Sequence, residues 1–366
     1  MQSNNRIILA TAGSGKTTTI IDDAYRSGAR SALITYTINN TSEITSKTYE
    51  MYGVIPPNFT IGTWYTFLLR HFIRPYQNSL YDVRRISHLC FVNQISAKGI
   101  RASDIRRYYF SKPGRIYSDK VSNFACEVIK KTEGLPIRRV EQIFDRIYID
   151  ESQDLAGYDL DLIEMLMKSR ISTVLVGDPR QAVYSTHSAK RNKQYAGANV
   201  INKFEEWKRK GICDLEYQYH SNRCIQAICE FADSLFPNLP KTKSLNRKVT
   251  GHDGVFALRQ SQVTMYMKAF RLQTLRYSRA RKDVPGNPIN FGRAKGSTFD
   301  RCLIFPHKNL ESFILTGKLK EDGVSLARTY VASTRARQST TFVIPDGTQP
   351  ASIPLFEIKC AISRPQ

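Results

Sequence analysis

The chain has 366 residues, of which 41% are hydrophobic and 23% charged, and no apolar run approaches the roughly 20 residues of a membrane span. This length and composition predict a soluble globular protein with room for two domains, and they exclude a transmembrane or low-complexity chain. The 54 basic and 32 acidic side chains give a formal net charge of +22, which indicates a polyanionic partner: nucleic acid first, an acidic membrane surface second. Seven cysteines without a CxxC pair favour neither a disulfide framework nor a zinc site, and the lack of a signal-peptide pattern predicts a cytoplasmic protein.

Near the start, segment 10–17 (ATAGSGKT) has the pattern of a phosphate-binding loop. An apolar run at 7–9 precedes it and a periodic segment at 17–21 follows it, which is the strand, glycine loop and helix order of that motif. Lys16 is predicted to reach the β and γ phosphates, and the Thr17 hydroxyl to coordinate Mg²⁺. The residues expected to cradle the nucleotide are Ala12, Gly13, Ser14, Gly15, Lys16, Thr17 and Thr18. A plain glycine-rich turn before a helix is the alternative.

The next segments alternate between strand and helix, which is typical of a parallel sheet. Strands are predicted at 31–35 and 59–61, and helices at 40–52 and 63–72. Basic and aromatic stretches then interrupt the pattern, so that residues 74–142 are predicted to form an inserted, mostly helical subdomain.

Paired carboxylates follow the β-prone segment 147–149. Asp150 at the end of such a strand would hold Mg²⁺ through water, and Glu151 would orient and deprotonate the attacking water. Segment 173–176 predicts the next buried strand, and it delivers Asp178 and Gln181 to the same carboxyl edge, where open α/β sheets place their ligands. A strand that ends in a solvated acidic turn is the alternative, which the upstream phosphate loop disfavours.

The order of these motifs resembles the superfamily 1 helicases of the UvrD, Rep and PcrA type. The matching segments are 10–17 (motif I), 33–40 (Ia), 62–69 (Ib), 150–154 (II), 177–184 (III), 215–221 (IV), 292–300 (V) and 330–337 (VI). The resemblance implies an α/β fold of two RecA-like parallel-sheet domains. Residues 1–210, with the insertion at 74–142, would form the first domain and residues 211–366 the second. The second would have strands at 213–216, 255–258, 302–305 and 341–344, and segments 225–236 and 263–277 would supply further helices and strands.

This resemblance implies ATP and Mg²⁺ as cofactors and assigns a role to several further residues. Arg335 resembles the arginine finger that neutralises charge on the γ phosphate, and Gln181 the glutamine that senses this phosphate. Tyr219 occupies the position that stacks on adenine. His220 and Gly296 complete the nucleotide-binding set, although His220 stands where the family has an arginine and Arg223 follows three residues later.

The expected nucleic-acid contacts come from motifs Ia and Ib. Trp64 is the first candidate for stacking on a base, with Tyr36 and Tyr65 beside it, while burial in the core is the alternative for each ring. Thr35, Asn39 and Thr63 would hold phosphates with hydroxyl and amide groups. The surplus of basic residues in 74–142 and 259–295 would add a salt-sensitive grip.

Two functions remain open at this stage. The first is an ATP-dependent translocase and helicase that moves 3′ to 5′ on single-stranded DNA, and is a monomer when isolated. The second is a nucleotide-gated nucleic-acid-binding component that signals to a partner protein without processive unwinding. Three substitutions favour the second function: Thr186 and His187 after motif III, and His220 in motif IV. So does the spacing of about 70 residues between Ser221 and Gly292, which makes this a minimal version of the family without its large insertion in the second motor domain. Gly292 and Thr298 depart from the family's motif V, which links hydrolysis to strand movement. RNA is an alternative substrate, because nothing in these motifs reads a 2′-OH.

Overall fold

The computed structural model describes residues 4–92, 94–183, 191–319 and 323–358. Contacts between residues divide the chain into two compact units. The first comprises residues 1–9 and 16–217, and the second comprises residues 10–15 and 218–366, so the glycine-rich loop groups with the second unit.

The first unit is built on a six-stranded sheet in the described part of the chain, with the strand order β3-β2-β7-β8-β1-β9. The pairings of β2 with β3 and β7, of β7 with β8 and of β8 with β1 are parallel. Its strands are β1 Arg6–Ala10, β2 Ser31–Thr35, β3 Phe59–Thr63, β7 Arg146–Ile149, β8 Ser172–Gly177 and β9 Asp214–Gln218. Its helices are α1 Lys16–Ser27, α2 Ile38–Tyr52, α3 Trp64–Phe67, α4 Ile105–Tyr109, α5 Val121–Lys131, α6 Leu135–Ile143, α7 Tyr158–Met167 and α8 Val200–Arg209.

The central strands are apolar because helices cover both faces of a parallel sheet. Ile7, Leu33, Ile147 and Leu175 are completely buried. Polar groups appear where each strand ends, so the carboxyl edge of the sheet is the place where chemistry can occur.

The inserted subdomain contains a small sheet, which the sequence did not predict. Three short strands, β4 His88–Cys90, β5 Phe110–Lys112 and β6 Arg115–Tyr117, form it in the order β4-β6-β5. Pro113 and Gly114 turn the chain between β5 and β6, and Gly114 takes a φ of 74° there. The insertion also contains helices as predicted, α4, α5 and α6, and the small sheet is an addition that arises because the turn folds a basic stretch into a hairpin.

The second unit carries a five-stranded sheet in the order β12-β16-β15-β13-β14, in which every pairing between the described strands is parallel. A short parallel pair, β10 with β11, accompanies it. The strands are β10 His220–Ser221, β11 Lys243–Ser244, β12 Gly254–Arg259, β13 Gln273–Arg276, β14 Ile289–Asn290, β15 Phe299–Phe305 and β16 Ala336–Ile344. The helices are α9 Gln226–Ser234, α10 Val263–Ala269, α11 Lys308–Thr316 and α12 Gly323–Ser333.

One expectation for the second half needs correction. The strand predicted at 213–216 is β9 and joins the sheet of the first unit. Segment 263–277, predicted to supply helices and strands, contains α10 and β13, and Thr274 and Leu275 are buried where β13 pairs with β15. The predicted α/β class with parallel sheets is confirmed, and no helix of the described residues is long and apolar enough to cross a membrane.

A buried histidine makes the stability of the second unit sensitive to acid. His252 is enclosed by aromatic rings, including Phe256 and Phe270, and its Nε2 lies 2.5 Å from the Tyr266 hydroxyl. Burial, together with the positive charge of Arg301, lowers the pKa of His252 to about 4.

Unfolding returns this imidazole to its ordinary pKa near 6.5, so the unfolded chain binds the extra proton as the pH falls. The contribution of His252 is therefore complete above pH 6.5 and is lost as the pH falls toward 4. We expect the free energy of unfolding to drop by about 2 kcal/mol more between pH 7 and pH 5 in the wild type than in His252→Gln, whose amide keeps a bond to Tyr266 but does not titrate. Urea unfolding at both pH values measures this, and equal losses in the two proteins would contradict it.

Candidate nucleotide and nucleic-acid sites

A hydroxyl and a carboxylate meet at the carboxyl edge of the first sheet. Thr17, in the first turn of α1, donates from Oγ1 to Asp150 Oδ2 over 2.9 Å. Asp150 comes directly after β7 and is 4% exposed, and its Oδ1 accepts the backbone N–H of Glu151. Two oxygen ligands at this point suit Mg²⁺, which keeps several waters and takes further ligands from phosphate. The described residues contain no group of three or more His, Cys, Asp or Glu that could hold a metal.

The charge balance at Asp150 depends on its neighbours. Burial and the adjacent charge of Glu151 raise the pKa of Asp150 above its usual range, while the bond from Thr17 and the charge of Lys16 act in the opposite direction. A bound cation would favour the ionised carboxylate in the same way as Lys16 does.

Behind this pair, amide and carboxylate groups link the ends of β7 and β8. Glu151 has a left-handed φ of 57°, and the Gln153 side-chain amide donates to its Oε2. Gln153 Oε1 accepts the Asp178 backbone N–H at 3.0 Å, and Asp178 Oδ2 in turn accepts from Gln181 Nε2 at 2.9 Å. Glu151 and Gln181 are therefore joined through two intervening side chains.

Gln153 is a functional candidate that the sequence reasoning did not assign. Its side chain carries the link just described, and it is 1% exposed. Gly177 makes room for it, since an added Cβ there would lie 2.6 Å from Gln153 Oε1 and from Ser152 Oγ. The sequence could have indicated Gln153 as a functional residue, because Gln153 lies within motif II and Gly177 opens motif III.

The glycine-rich loop has the backbone expected of a phosphate cradle. Gly13 and Gly15 take φ values of 78° and 93°, and the Ser14 side chain is buried with no hydrogen-bond partner for its Oγ among the described residues. A buried hydroxyl without a partner costs free energy, which a phosphate oxygen at this point would offset. Ala12 is buried, and its N–H donates to the Tyr330 hydroxyl at 3.4 Å.

Within the second unit, the loop is held by segment 218–223. Thr11 Oγ1 donates to His220 O at 2.8 Å, Ser221 Oγ donates to Ala12 O at 2.8 Å, and the Asn222 N–H donates to Gly13 O at 2.9 Å. An added Cβ at Gly13 would lie 2.6 Å from Arg223 Cβ. Only glycine suits this position, for its φ and for this close approach.

Motif V and the residues of motif IV from 218 onward lie in the second unit. Tyr219 and His220 are half-buried, and the Tyr219 carbonyl accepts the Lys243 N–H at 2.9 Å. Arg223 is half-buried as well, and its Nη1 donates to Thr334 O at 3.2 Å. Gly296 is exposed with a φ of 87°. Arg223 therefore approaches the glycine-rich loop with its Cβ while its guanidinium bonds to Thr334, and His220 meets the loop through its backbone.

Arg335 follows α12 and is 2% exposed. Its guanidinium is held by Nε to Val331 O at 2.9 Å, by Nη2 to Thr334 Oγ1 at 3.2 Å and by Nη1 to Ser297 O at 3.5 Å. Motif VI is thereby connected to motif V. In this arrangement the arginine also supports the fold of its own unit, so it must exchange some of these bonds if it is to reach a phosphate.

The nucleic-acid candidates divide into buried and exposed residues. Trp64 is 1% exposed, and its Nε1 donates to Asp159 Oδ1 at 2.7 Å, which places the ring in the core. Base stacking on Trp64 does not fit this placement. Tyr65 is 5% exposed and its hydroxyl lies 3.3 Å from that of the half-buried Tyr36. Burial raises the pKa of both phenols, so they stay neutral.

The polar candidates are also distributed unevenly. Thr35 is buried and its Oγ1 accepts from Asn40 Nδ2 at 3.3 Å, while Thr63 caps α3 by accepting the Thr66 N–H. Of the predicted phosphate-binding side chains, Asn39 is exposed, as is Thr18 at the phosphate loop. Tyr184, Thr186 and His187 lie outside the described residues.

The glycine-rich loop after β1, the glutamine after the adjacent β8 and the buried acidic turn after β7 are arranged as in α/β proteins that bind nucleotides through a phosphate loop. Residues 101–196 match the family model described as UvrD/REP helicase N-terminal domain. This range contains the acidic turn at Asp150 and the segment with Gln181. The resemblance to helicases of the UvrD, Rep and PcrA type is thus confirmed by a comparison that does not include the phosphate loop.

Among solved structures, the chain is similar to viral helicases. Arterivirus nonstructural protein 10 (helicase) is 12% identical with a TM-score of 0.47, over 93% of this chain and 60% of that one. The same protein in complex with DNA is 13% identical, with a TM-score of 0.46 and coverages of 94% and 62%. The PRRSV helicase is 13% identical, with a TM-score of 0.46 and coverages of 94% and 53%. The chain therefore spans 53% to 62% of the length of these proteins. No curated protein matches the chain in sequence.

Proposed function

We propose that this protein hydrolyses ATP in order to move along single-stranded nucleic acid as a helicase motor. The contact between Thr17 Oγ1 and Asp150 Oδ2 carries the proposal, because it unites the phosphate loop and the acidic turn as the two protein ligands of Mg²⁺. The UvrD-type match over residues 101–196 supports the same class of activity.

Each group in the first unit has a role in this proposal. Lys16 binds the terminal phosphates, and Thr17 and Asp150 hold the magnesium ion, which neutralises phosphate charge. Glu151, next to Asp150, orients the attacking water and accepts its proton. Gln153, Asp178 and Gln181 position Glu151 and report on the state of the site, since a change at one member of the linked set reaches the others.

Residues of the second unit also have roles in this proposal. Arg335 stabilises charge that develops on the γ phosphate, and Arg223 takes the place of the motif IV arginine that His220 lacks. Tyr219 stacks on the base of the nucleotide, and Gly296 lets motif V approach it.

The composition of the chain supports nucleic acid as the polymer along which the motor moves. A net charge of +22 favours a sequence-independent grip on phosphates. We propose single-stranded DNA, 3′ to 5′ movement and a monomeric motor, with RNA as the second choice. His220 in motif IV also favours a second candidate, a nucleotide-gated binding component that needs a partner protein for processive unwinding.

Steady-state ATP hydrolysis tests the proposal when it is measured with and without single-stranded DNA or RNA of the same sequence over a salt series. We expect hydrolysis to rise severalfold with the preferred strand and this stimulation to fall with salt, because the grip depends on counterion release. A 3′-tailed and a 5′-tailed duplex then test direction. Strand binding without stimulated hydrolysis would support the second candidate, and hydrolysis that no strand affects would contradict both.

A further inference from the structure

The inserted subdomain has a strong excess of positive charge. Residues 74–120 contain ten basic and three acidic side chains. Two of the acidic residues pair locally, Asp104 with Arg107 and Asp119 with Lys120. Polyanions are therefore the natural ligands of this region.

Four of its basic residues gather at one end of the small sheet. The β5–β6 turn presents Lys112 and Arg115 side by side, and the N–H groups of Ser87 and His88 both donate to Gly114 O in that turn. This fixes the preceding Arg84 and Arg85 against the same turn, which is why an added Cβ at Gly114 would lie 3.5 Å from Arg84 Cδ. We call Arg84, Arg85, Lys112 and Arg115 the hairpin patch. All four are exposed, and none has an ion-pair partner among the residues that the structure describes.

An exposed aromatic ring stands at the other end of the same sheet. Phe91 directly follows β4 and is 74% exposed, and the backbone after it is fixed by a bond from Val92 N to Ser118 Oγ at 3.2 Å. Its ring meets Tyr65 edge-on, with centroids 6.3 Å apart, and Tyr65 meets Tyr36 in the same way at 5.6 Å. Of these three rings, Phe91 is the one with an open face, and exposing a phenyl ring to water is costly unless a ligand covers it.

The spacing suits one strand of nucleic acid. His88 pairs with Arg115 and Cys90 with Tyr117, so Phe91 lies three residues along the sheet from the hairpin patch. Three residues span about 10 Å, the length of about three stacked nucleotides. A positive groove combined with an exposed aromatic ring is the usual composition of a single-strand site without sequence preference.

We infer that the small sheet of the insertion is a single-strand binding site, in which Phe91 stacks on a base and the hairpin patch holds the adjoining phosphates. The inference rests on the proposed function for the identity of the polyanion. It moves the main stacking contact from Trp64, which is buried, to a residue outside the helicase motifs.

Binding measurements without nucleotide test the stacking contact. We expect Phe91→Ala to weaken binding of an oligothymidylate about 16 nucleotides long by about 5- to 100-fold with little change in salt dependence, while Phe91→Trp binds as the wild type does. The same variant should bind an abasic strand of equal length as the wild type does. Tyr49→Ala is the matched control, because Tyr49 is a 56% exposed aromatic residue on α2. Equal melting temperatures would show that the variants are folded.

The hairpin patch has a different expected signature. Changing its four residues to glutamine should reduce the slope of log K against log salt by about 3, since each lost phosphate contact contributes roughly 0.7. The control removes four exposed charges from α5 and α8 by changing Lys130, Lys131, Lys208 and Arg209 to glutamine.

The inference is overturned if Phe91→Ala binds the strand as tightly as the wild type, or if the two fourfold variants behave alike. The inference is also overturned if the variants lose binding only to a blunt duplex and still bind the single strand, because the surface would then be a duplex site. If any of these results is found while strand-stimulated hydrolysis persists in the wild type, the inference fails and the proposed function stands. If the wild type binds no strand, both fail.

Discussion

Replacing Glu151 by glutamine is expected to lower ATP turnover by about 10²- to 10⁴-fold while leaving nucleotide binding nearly intact. Glutamine keeps the shape of the side chain and can still bond to the Gln153 amide, but it cannot take a proton from water. Glu151 has a left-handed backbone conformation directly after Asp150, so the backbone fixes the direction of its Cα–Cβ bond.

Steady-state hydrolysis and the binding of a fluorescent ATP analogue measure the two expected effects. Glu141→Gln, on α6, is a suitable control for loss of one carboxylate, since its Oε1 accepts the Arg170 N–H away from the acidic turn. If Glu151→Gln hydrolyses ATP at the wild-type rate, another group activates the water and the assignment of motif II chemistry to Glu151 is wrong.

Arg335→Ala is the second variant with a large expected effect, a loss of about 10³-fold or more in strand-stimulated hydrolysis. The structure adds a consequence for stability, because this guanidinium is buried and bonded to Val331 O, Thr334 Oγ1 and Ser297 O. Its removal takes a buried donor from Thr334 Oγ1 and Ser297 O, while Val331 O keeps a bond from Thr334 Oγ1, and we expect this loss to cost about 1–3 kcal/mol.

Arg337 provides the matched control. It lies two residues further on, its side chain is half exposed, and it pairs with Asp300 at 3.1 Å. We expect Arg337→Ala to retain most of the activity and stability, because exposed ion pairs contribute little. Arg335→Lys separates the two roles of Arg335: it keeps a charge but cannot make the same set of bonds. If Arg335→Ala lost stability yet hydrolysed ATP normally when folded, the residue would be structural only.

The sequence predicted those parts of the fold where local pattern and tertiary structure agree. The strand at 31–35 and the acidic turn after β7 were predicted because apolar runs and polar ends coincide there. The small sheet of the insertion was missed, because its strands have three residues each and no periodicity to identify them. Short pairings of this kind are decided by contacts distant in sequence.

The candidate site shows the same division between residues that motifs predict and residues whose role depends on the folded structure. Motifs predicted that Thr17, Asp150 and Gln181 lie at the carboxyl edge of the first sheet, and their chemical roles stay predictions. The assignments of Trp64 and Phe91 depend instead on the exposure of their rings. Trp64 begins the short helix α3, and its indole Nε1 donates to Asp159 on α7. No motif predicts this buried hydrogen bond. Phe91 follows a three-residue strand, and only the folded insertion shows that its ring faces solvent.

The position of β1 in the sheet determines when the proposed nucleotide site can form during synthesis. β1 leads into the glycine-rich loop, yet its neighbours in the sheet are β8 and β9, which the ribosome makes more than 150 residues later. At about 5–20 residues per second, the nascent chain carries an unpaired β1 for roughly ten seconds or more. The first element of the proposed site to be synthesised is thus among the last to be assembled, and we expect a ribosome-bound fragment that stops before β8 to fail to bind ATP.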